Sequence, residues 1–134
     1  EELSHKDSPN QLFVAETNNK LIGFIALMGS QLRKKKHIRA LAMGVLKAHT
    51  GKGTGSKLME HAISFAAENN LKRLELTVIV ENLAAIKLYQ KMGFQKEGTK
   101  RHSICLEGRY VDEDAYSLII EHVSRNVEAT RLTL

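Results

Sequence analysis

Between His37 and Val80 the chain changes hydrophobic period twice, and the double change dictates a crossover. "HIRALAMGVL" reads as a strand, and Gly44 inside it hints at a bulge or at the close approach of another backbone. From Thr54 onward Leu58, Ala62 and Ala66, with Met59 and Ile63 beside them, recur at helical spacing while Lys57, Glu60, Ser64 and Glu68 face outward. That helix is expected to end near Asn69-Asn70. "RLELTVIV" restores alternation, with Leu74, Leu76, Val78 and Val80 on one face. A strand, a helix and a strand in this order imply two parallel strands joined by a covering helix.

The flanks add antiparallel partners. "FVAETNNKLIGFIAL" is two apolar runs around Asn18-Asn19, residues that tolerate the positive φ of a tight hairpin turn. After the crossover Asn82 caps a second helix that stops before Gly93, a residue suited to the left-handed position past a helix end. "FQKEGTKRHSICLEGRYVDEDAYSLII" reads as two long strands joined around Glu107-Gly108. The expectation is an α/β (α+β) domain spanning residues 1–134, a mixed central β-sheet with two covering helices and no repeat or internal linker. The tail "SRNVEATRLTL" fits either a terminal strand or a frayed end.

Composition narrows the function. At 134 residues, 43% hydrophobic and 26% charged, the chain is long enough to bury a real core. No apolar stretch approaches the roughly 20 residues of a membrane span, and "EELSHKDSPN" has neither the basic nor the apolar part of a signal peptide, so no membrane partner is expected. One cysteine, Cys105, permits no intrachain disulfide and agrees with a reducing cytoplasm; a packing or surface role suits it better than a catalytic one. The six histidines lack ligand spacing, which leaves no metal site to assign. A net charge of +5 attracts anions of any kind. The basic run "RKKKH" reads as a solvated connection, and with no aromatic interleaved there a nucleic-acid partner is disfavoured.

The loop "HTGKGTGSKLMEHA" points to a narrower class of anion. A glycine-rich turn opening a helix presents unpaired N–H groups and the positive end of the helix dipole, which suits a pyrophosphate. A nucleoside-triphosphate loop requires Gly-Lys-Ser/Thr, whereas here Gly55 is followed by Ser56 and then Lys57; the dinucleotide fingerprint fails because Ser56 stands where its third glycine belongs. An ordinary strand-to-helix turn remains the competing reading. On the second helix Asn82 and Tyr89 are seven residues apart, which at 100° per residue puts both on one face, two turns apart. Capping and core packing are the plainer roles for such a pair.

Taken together, "GVLKAHTGKGTGSKLMEHA", "LKRLELTV" and "ENLAAIKLYQKMGFQKEG", about 55 residues of nearly continuous pattern, resemble the GNAT superfamily of N-acetyltransferases. Its specific element is N-x-x-A-x-x-L-Y-x-x-x-G-F. The resemblance implies the GNAT acyl-CoA N-acyltransferase fold, acetyl-CoA as cosubstrate and a primary amine of a small molecule, peptide or protein as acceptor. It places the pyrophosphate on the loop of Thr50, Gly51, Lys52, Gly53, Thr54, Gly55 and Ser56. The pantetheine arm would lie along the strand end at Met43, Val45 and Leu46, splayed at its bulge from the strand 74–80, and against Asn82. Tyr89 would stand near the sulfur and protonate the leaving thiolate.

Three departures accompany the resemblance. Family loops usually begin with Arg or Gln where this chain has Thr50, with Lys52 as a substitute contact. Members that acetylate protein N-termini tend to carry Glu where Thr77 stands, which leaves the base unassigned. Glu75, on the same face, is a candidate substitute or a solvated strand glutamate; a water chain, His37 and the cluster Asp112, Glu113 and Asp114, itself readable as a charged turn, are the alternatives. The usual strand and one or two helices do not precede the "FVAE" hairpin in this sequence, so the chain reads either as a fragment or as an N-terminally shortened member. A non-catalytic acyl-CoA sensing domain and a basic nucleic-acid-binding module are the rival readings, and self-association as a homodimer is left open.

Overall fold

The computed structural model describes residues 8–121. β1 (Gln11–Thr17) and β2 (Lys20–Met28) form the expected antiparallel hairpin, closed by Asn18 and Asn19 at φ 51° and 61°. Two left-handed residues are what a tight turn needs to match the twist of its strands. β3 (Ile38–Val45) pairs antiparallel with β2, and the basic run before it is a solvent-exposed 3₁₀ turn at Arg33–Lys35. α1 (Thr54–Glu68) then crosses to β4 (Arg73–Ile79), which is parallel to β3. α2 (Leu83–Lys91) leads to the hairpin of β5 (Gln95–Leu106) and β6 (Arg109–Ile119). The six-stranded sheet runs β1-β2-β3-β4-β6-β5.

Alternation sorts the side chains by face. Leu58, Met59, Ala62 and Ala66 of α1 are buried, as their spacing predicts, in one core with Phe13, Ile25, Leu27, Leu41, Leu74, Leu76 and Val78. Tyr89 of α2 and Phe94 join that core. Each large aliphatic side chain withdrawn from water there contributes about 1.5–3 kcal/mol before the entropy of ordering it. The other face carries Phe24 and Met28, 40% and 44% exposed, followed across the sheet by Ala40, Ala42, Glu75 and Thr77. Among the described residues no helix is long and apolar enough to cross a membrane.

Three details differ from the sequence reading. The β2–β3 register is unbroken from Gly23↔Val45 to Met28↔Ala40, so Gly44 marks no bulge. A Cβ on Gly44 would lie 2.7 Å from Cε1 of Phe24, so the glycine makes room for an aromatic ring rather than for backbone. β4 ends at Ile79, and the Val80 N–H turns to the Asp112 carbonyl at 3.1 Å. Register shifts lie instead on β5, between Lys96 and Gly98 and between Lys100 and Ile104, and on β1, between Ala15 and Glu16. The C-terminal "SRNVEATRLTL" lies outside the described residues.

Candidate active site

β3 and β4 pair only at Ile38↔Arg73, Arg39↔Leu74 and Ala40↔Glu75. Beyond Ala40 they separate, although β3 runs on to Val45 and β4 to Ile79. Each keeps its outer partner, β2 and β6 respectively. The facing edges of residues 41–45 and 76–79 therefore present backbone groups with no strand between them. Such an edge is a template for an extended, hydrogen-bonding ligand. A cavity of about 680 Å³ occupies this opening and reaches through the sheet, with Met43, Asn82 and Tyr89 on the helix side and Glu75, Thr77 and Lys100 on the open side.

The glycine loop meets α1 beside this gap. Gly51 and Gly53 have φ of 74° and 83°, and a Cβ on either would meet nothing within 4 Å. Their requirement is backbone conformation, not space. Gly53 precedes α1, which has no side-chain cap and no acidic residue in its first turn. The first bond closing the helix is Lys57 N–H to Gly53 C=O at 3.0 Å, so the amides of Thr54, Gly55 and Ser56 have no intrahelical acceptor. Lys52 and Lys57 are exposed on either side of them. Gly55 differs from the other two glycines, because a Cβ there would sit 3.2 Å from Leu88 Cδ2 and 3.6 Å from Met43 Cε. Its missing side chain brings the helix start against α2 and against a cavity-lining methionine. The Thr50 hydroxyl donates to the Lys47 carbonyl at 2.8 Å and so closes the preceding turn.

Of the strand-end residues, Met43 lines the cavity, while Val45 and Leu46 line an adjoining apolar groove with Leu21 and Phe24. Asn82 caps α2, its Oδ1 accepting from the Ala85 N–H at 3.2 Å, which leaves its amide nitrogen for the cavity. Tyr89 shares that cavity, as the helical spacing predicts. Its ring is buried, 6.0 Å from that of Phe94, and burial pushes the phenol above its ordinary pKa, so the proton is retained at neutral pH.

Sequence reading missed a charged network where the splay begins. Glu75 stands at the last β3–β4 pair, and its Oε1 accepts from Arg73 Nε at 2.9 Å. Arg73 also donates from Nη1 and Nη2 to both oxygens of Glu97, at 2.9 and 2.7 Å, and the Ser117 hydroxyl donates to Glu97 at 2.6 Å. The Arg73 and Ser117 hydrogen bonds push the Glu97 carboxyl down to about 2. Arg73 is correspondingly raised, first by Glu97 and then by Glu75. Gln95 pairs with Ser117, so strand alternation puts Glu97 on the face of Ser117 and Glu75, and the bulge between Lys96 and Gly98 turns Gly98 and Lys100 onto it as well. What local pattern does not signal is that this part of β5 lies beside Arg73 of β4.

The alternative bases are dispersed. His37 lies before β3, away from the cavity, with its carbonyl accepting from the Lys72 and Arg73 N–H groups. Alternation splits the acidic cluster: Glu113 lines the cavity, Asp112 accepts from the His102 N–H, and buried Asp114 binds the Thr99 hydroxyl at 2.7 Å and Lys96 at 3.5 Å on the opposite face. Cys105 is exposed on β5.

The residues present fit acetyl-CoA. An acid-free, uncapped helix start suits its pyrophosphate, an unpaired strand edge suits the amides of its pantetheine arm, and a gap through the sheet lets thioester and acceptor approach from opposite sides. Comparison with known proteins agrees. The profile of the acetyltransferase (GNAT) family matches residues 1–94. The L-amino acid N-acetyltransferase AaaT of Escherichia coli is 33% identical over 84% of this chain and 69% of its own. The spermidine N(1)-acetyltransferase of Vibrio cholerae is 30% identical over 94% of this chain and 75% of its own. Several other relatives are spanned for less than half their length. Among solved structures, a GNAT-family acetyltransferase from Streptococcus pneumoniae superposes with a TM-score of 0.82 at 34% identity, covering 85% of this chain and 70% of that one. An acetyltransferase from Salmonella typhimurium, solved with its cofactor acetyl-CoA, shares the fold at a TM-score of 0.79 and 22% identity over 84% of this chain and 66% of that one. Acetyl-CoA is the cosubstrate of the family. A sheet opened at its parallel pair, beside an uncapped helix, is thus the framework of an N-acetyltransferase, and this chain belongs to the acetyltransferase (GNAT) family.

Proposed function

We propose that this protein transfers an acetyl group from acetyl-CoA directly to a primary amine, without a covalent enzyme intermediate. The observation that carries the proposal is the separation of β3 from β4 beyond Ala40↔Glu75, with the bare start of α1 at one side and Tyr89 inside. Acetyl-CoA supplies the acetyl group as a thioester. The amides from Gly51 to Ser56, helped by Lys52, hold the pyrophosphate; Thr50 shapes the loop through its bond to Lys47. The edge at Met43, Val45 and Leu46 and the Asn82 amide orient the pantetheine arm. Tyr89 keeps its proton at neutral pH and gives it to the sulfur as the carbon–sulfur bond breaks.

Proton removal from the amine is the second requirement. An alkylammonium of pKa about 10.4 costs roughly 4–5 kcal/mol to deprotonate at neutral pH. Glu75 lines the cavity with one oxygen held by Arg73, and its second oxygen accepts the amine proton directly or through water. Of the two relatives described above, one is an L-amino acid N-acetyltransferase and the other a spermidine N(1)-acetyltransferase, and either kind of acceptor fits a primary-amine reading. Thiol release from acetyl-CoA, measured across a panel of amines, is the test. Turnover with at least one amine is expected. Coenzyme A binding without turnover would instead support a sensing domain.

A further inference from the structure

The open side of the cavity is built in three rows. Cross-strand register places Glu75 level with Ser117, Thr77 with Ala115 and Gly98, and Ile79 with Glu113 and Lys100. The middle row is a floor of small residues. The first row is the Arg73–Glu75–Glu97 network, and about 13 Å of strand separates it from the third, at roughly 3.3 Å per residue.

The cations on this side are not equivalent. Arg73 spends its donors on Glu75 and Glu97. Lys100 faces Glu113 across the strands, yet Glu113 accepts from the Ser103 hydroxyl at 2.6 Å, and Lys100 has no ion pair among the described residues. The β5 bulge fixes this arrangement, with His102 at φ 51° and its N–H held by Asp112 at 2.9 Å. Bulges beside active sites often re-aim a side chain. Here Lys100 is left exposed and without an ion pair among the described residues, at the far end of a small-residue floor.

We propose that the acceptor carries a carboxylate beside its amine, as an α-amino acid does, and that Lys100 is the residue that reads it. The inference rests on the acetyl-transfer reading above. A polyamine would bring a second cation to Lys100 and be repelled there.

The experiment follows thiol release by the full chain with an amino acid, its carboxamide and a linear diamine, in wild type, Lys100→Met and Lys100→Arg. Wild type is expected to favour the amino acid. In Lys100→Met the amino-acid-to-carboxamide ratio of kcat/KM should fall about five- to tenfold, through KM of the amino acid, and Lys100→Arg should restore it. Thermal melting checks that each variant is folded. A wild-type preference for the diamine, or an unchanged ratio in Lys100→Met, overturns the role of Lys100 while leaving acetyl transfer intact. Coenzyme A binding with no turnover of any amine overturns acetyl transfer itself, and this inference with it.

Discussion

Gly53→Ala separates a conformational role of the loop from a spatial one. Gly53 sits at φ 83° just before α1, and a methyl group there meets nothing within 4 Å, so any effect must come through the backbone. Holding alanine in the left-handed region costs about 1–2 kcal/mol, offset by roughly 0.4–1 kcal/mol from the stiffer unfolded chain. The net, about 1 kcal/mol, has two outlets. If the loop keeps its shape, the melting temperature falls by roughly 2–8 °C. If the loop relaxes, the amides of Thr54, Gly55 and Ser56 turn from their common focus and Kd for coenzyme A rises about fivefold. Gly55→Ala is the control, because its φ is not left-handed and its methyl meets the flexible tips of two side chains, Leu88 at 3.2 Å and Met43 at 3.6 Å, rather than the loop backbone. Differential scanning fluorimetry and titration calorimetry read the two outlets. If Gly53→Ala changes neither quantity, the oriented-amide account of the loop is wrong.

Further outcomes follow from the same geometry. Tyr89→Phe should keep the ring's packing and coenzyme A affinity while lowering kcat roughly 10- to 1000-fold, read by thiol release at saturating acetyl-CoA; equal turnover with chemistry rate-limiting removes the phenol from the mechanism. Because burial raises that phenol, it should produce no alkaline fall in kcat below its ordinary pKa of 10.0, which a pH–rate profile checks. Glu97 is lowered from 4.5 to about 2, so its stabilising contribution is complete above pH 4.5 and lost as the pH falls toward 2; melting curves of wild type and Glu97→Gln should converge across that window. Leu74→Ala, at a fully buried position, should destabilise by about 2–5 kcal/mol in urea unfolding.

The fold was legible where one local pattern determines one element. Asn18-Asn19, the α1 stripe from Leu58 to Ala66, and Asn82 with Gly93 all act within a turn or two of chain, and the structure places them as their periods require. The extent of the splay was implied by family resemblance, while its assignment to a bulge at Gly44 was wrong: hydrogen bonding with β2 continues straight through that residue. The cavity wall was legible only in part. Tyr89 and Asn82 share a helix, so spacing brought them together. Glu97 reaches Arg73 from 24 residues away, across the intervening β6, and Ser103 reaches Glu113 across 10, where a bulge displaces the β5 register between Lys100 and Ile104. The sequence of β5 looks like an exposed hairpin, and nothing in its alternation says which of its charges turn inward.

The splay also explains why the acidic network lies where it does. Strands that part after a few ladder bonds leave the last pair, Ala40↔Glu75, with hydrogen bonds on one side only. Arg73 answers this by tying Glu75 of its own strand to Glu97 of β5, and Ser117 of the intervening β6 bonds the same carboxylate. Three strands are thus fastened at the point where the fourth departs. The fastening is made of charge rather than apolar packing because this face is the open side of the cavity, where the side chains remain partly wet and a buried ion's desolvation cost is avoided. On the acetyl-transfer reading proposed above, Glu75 held at that fork would serve both as a structural tie and as the proton acceptor for an amine approaching the thioester.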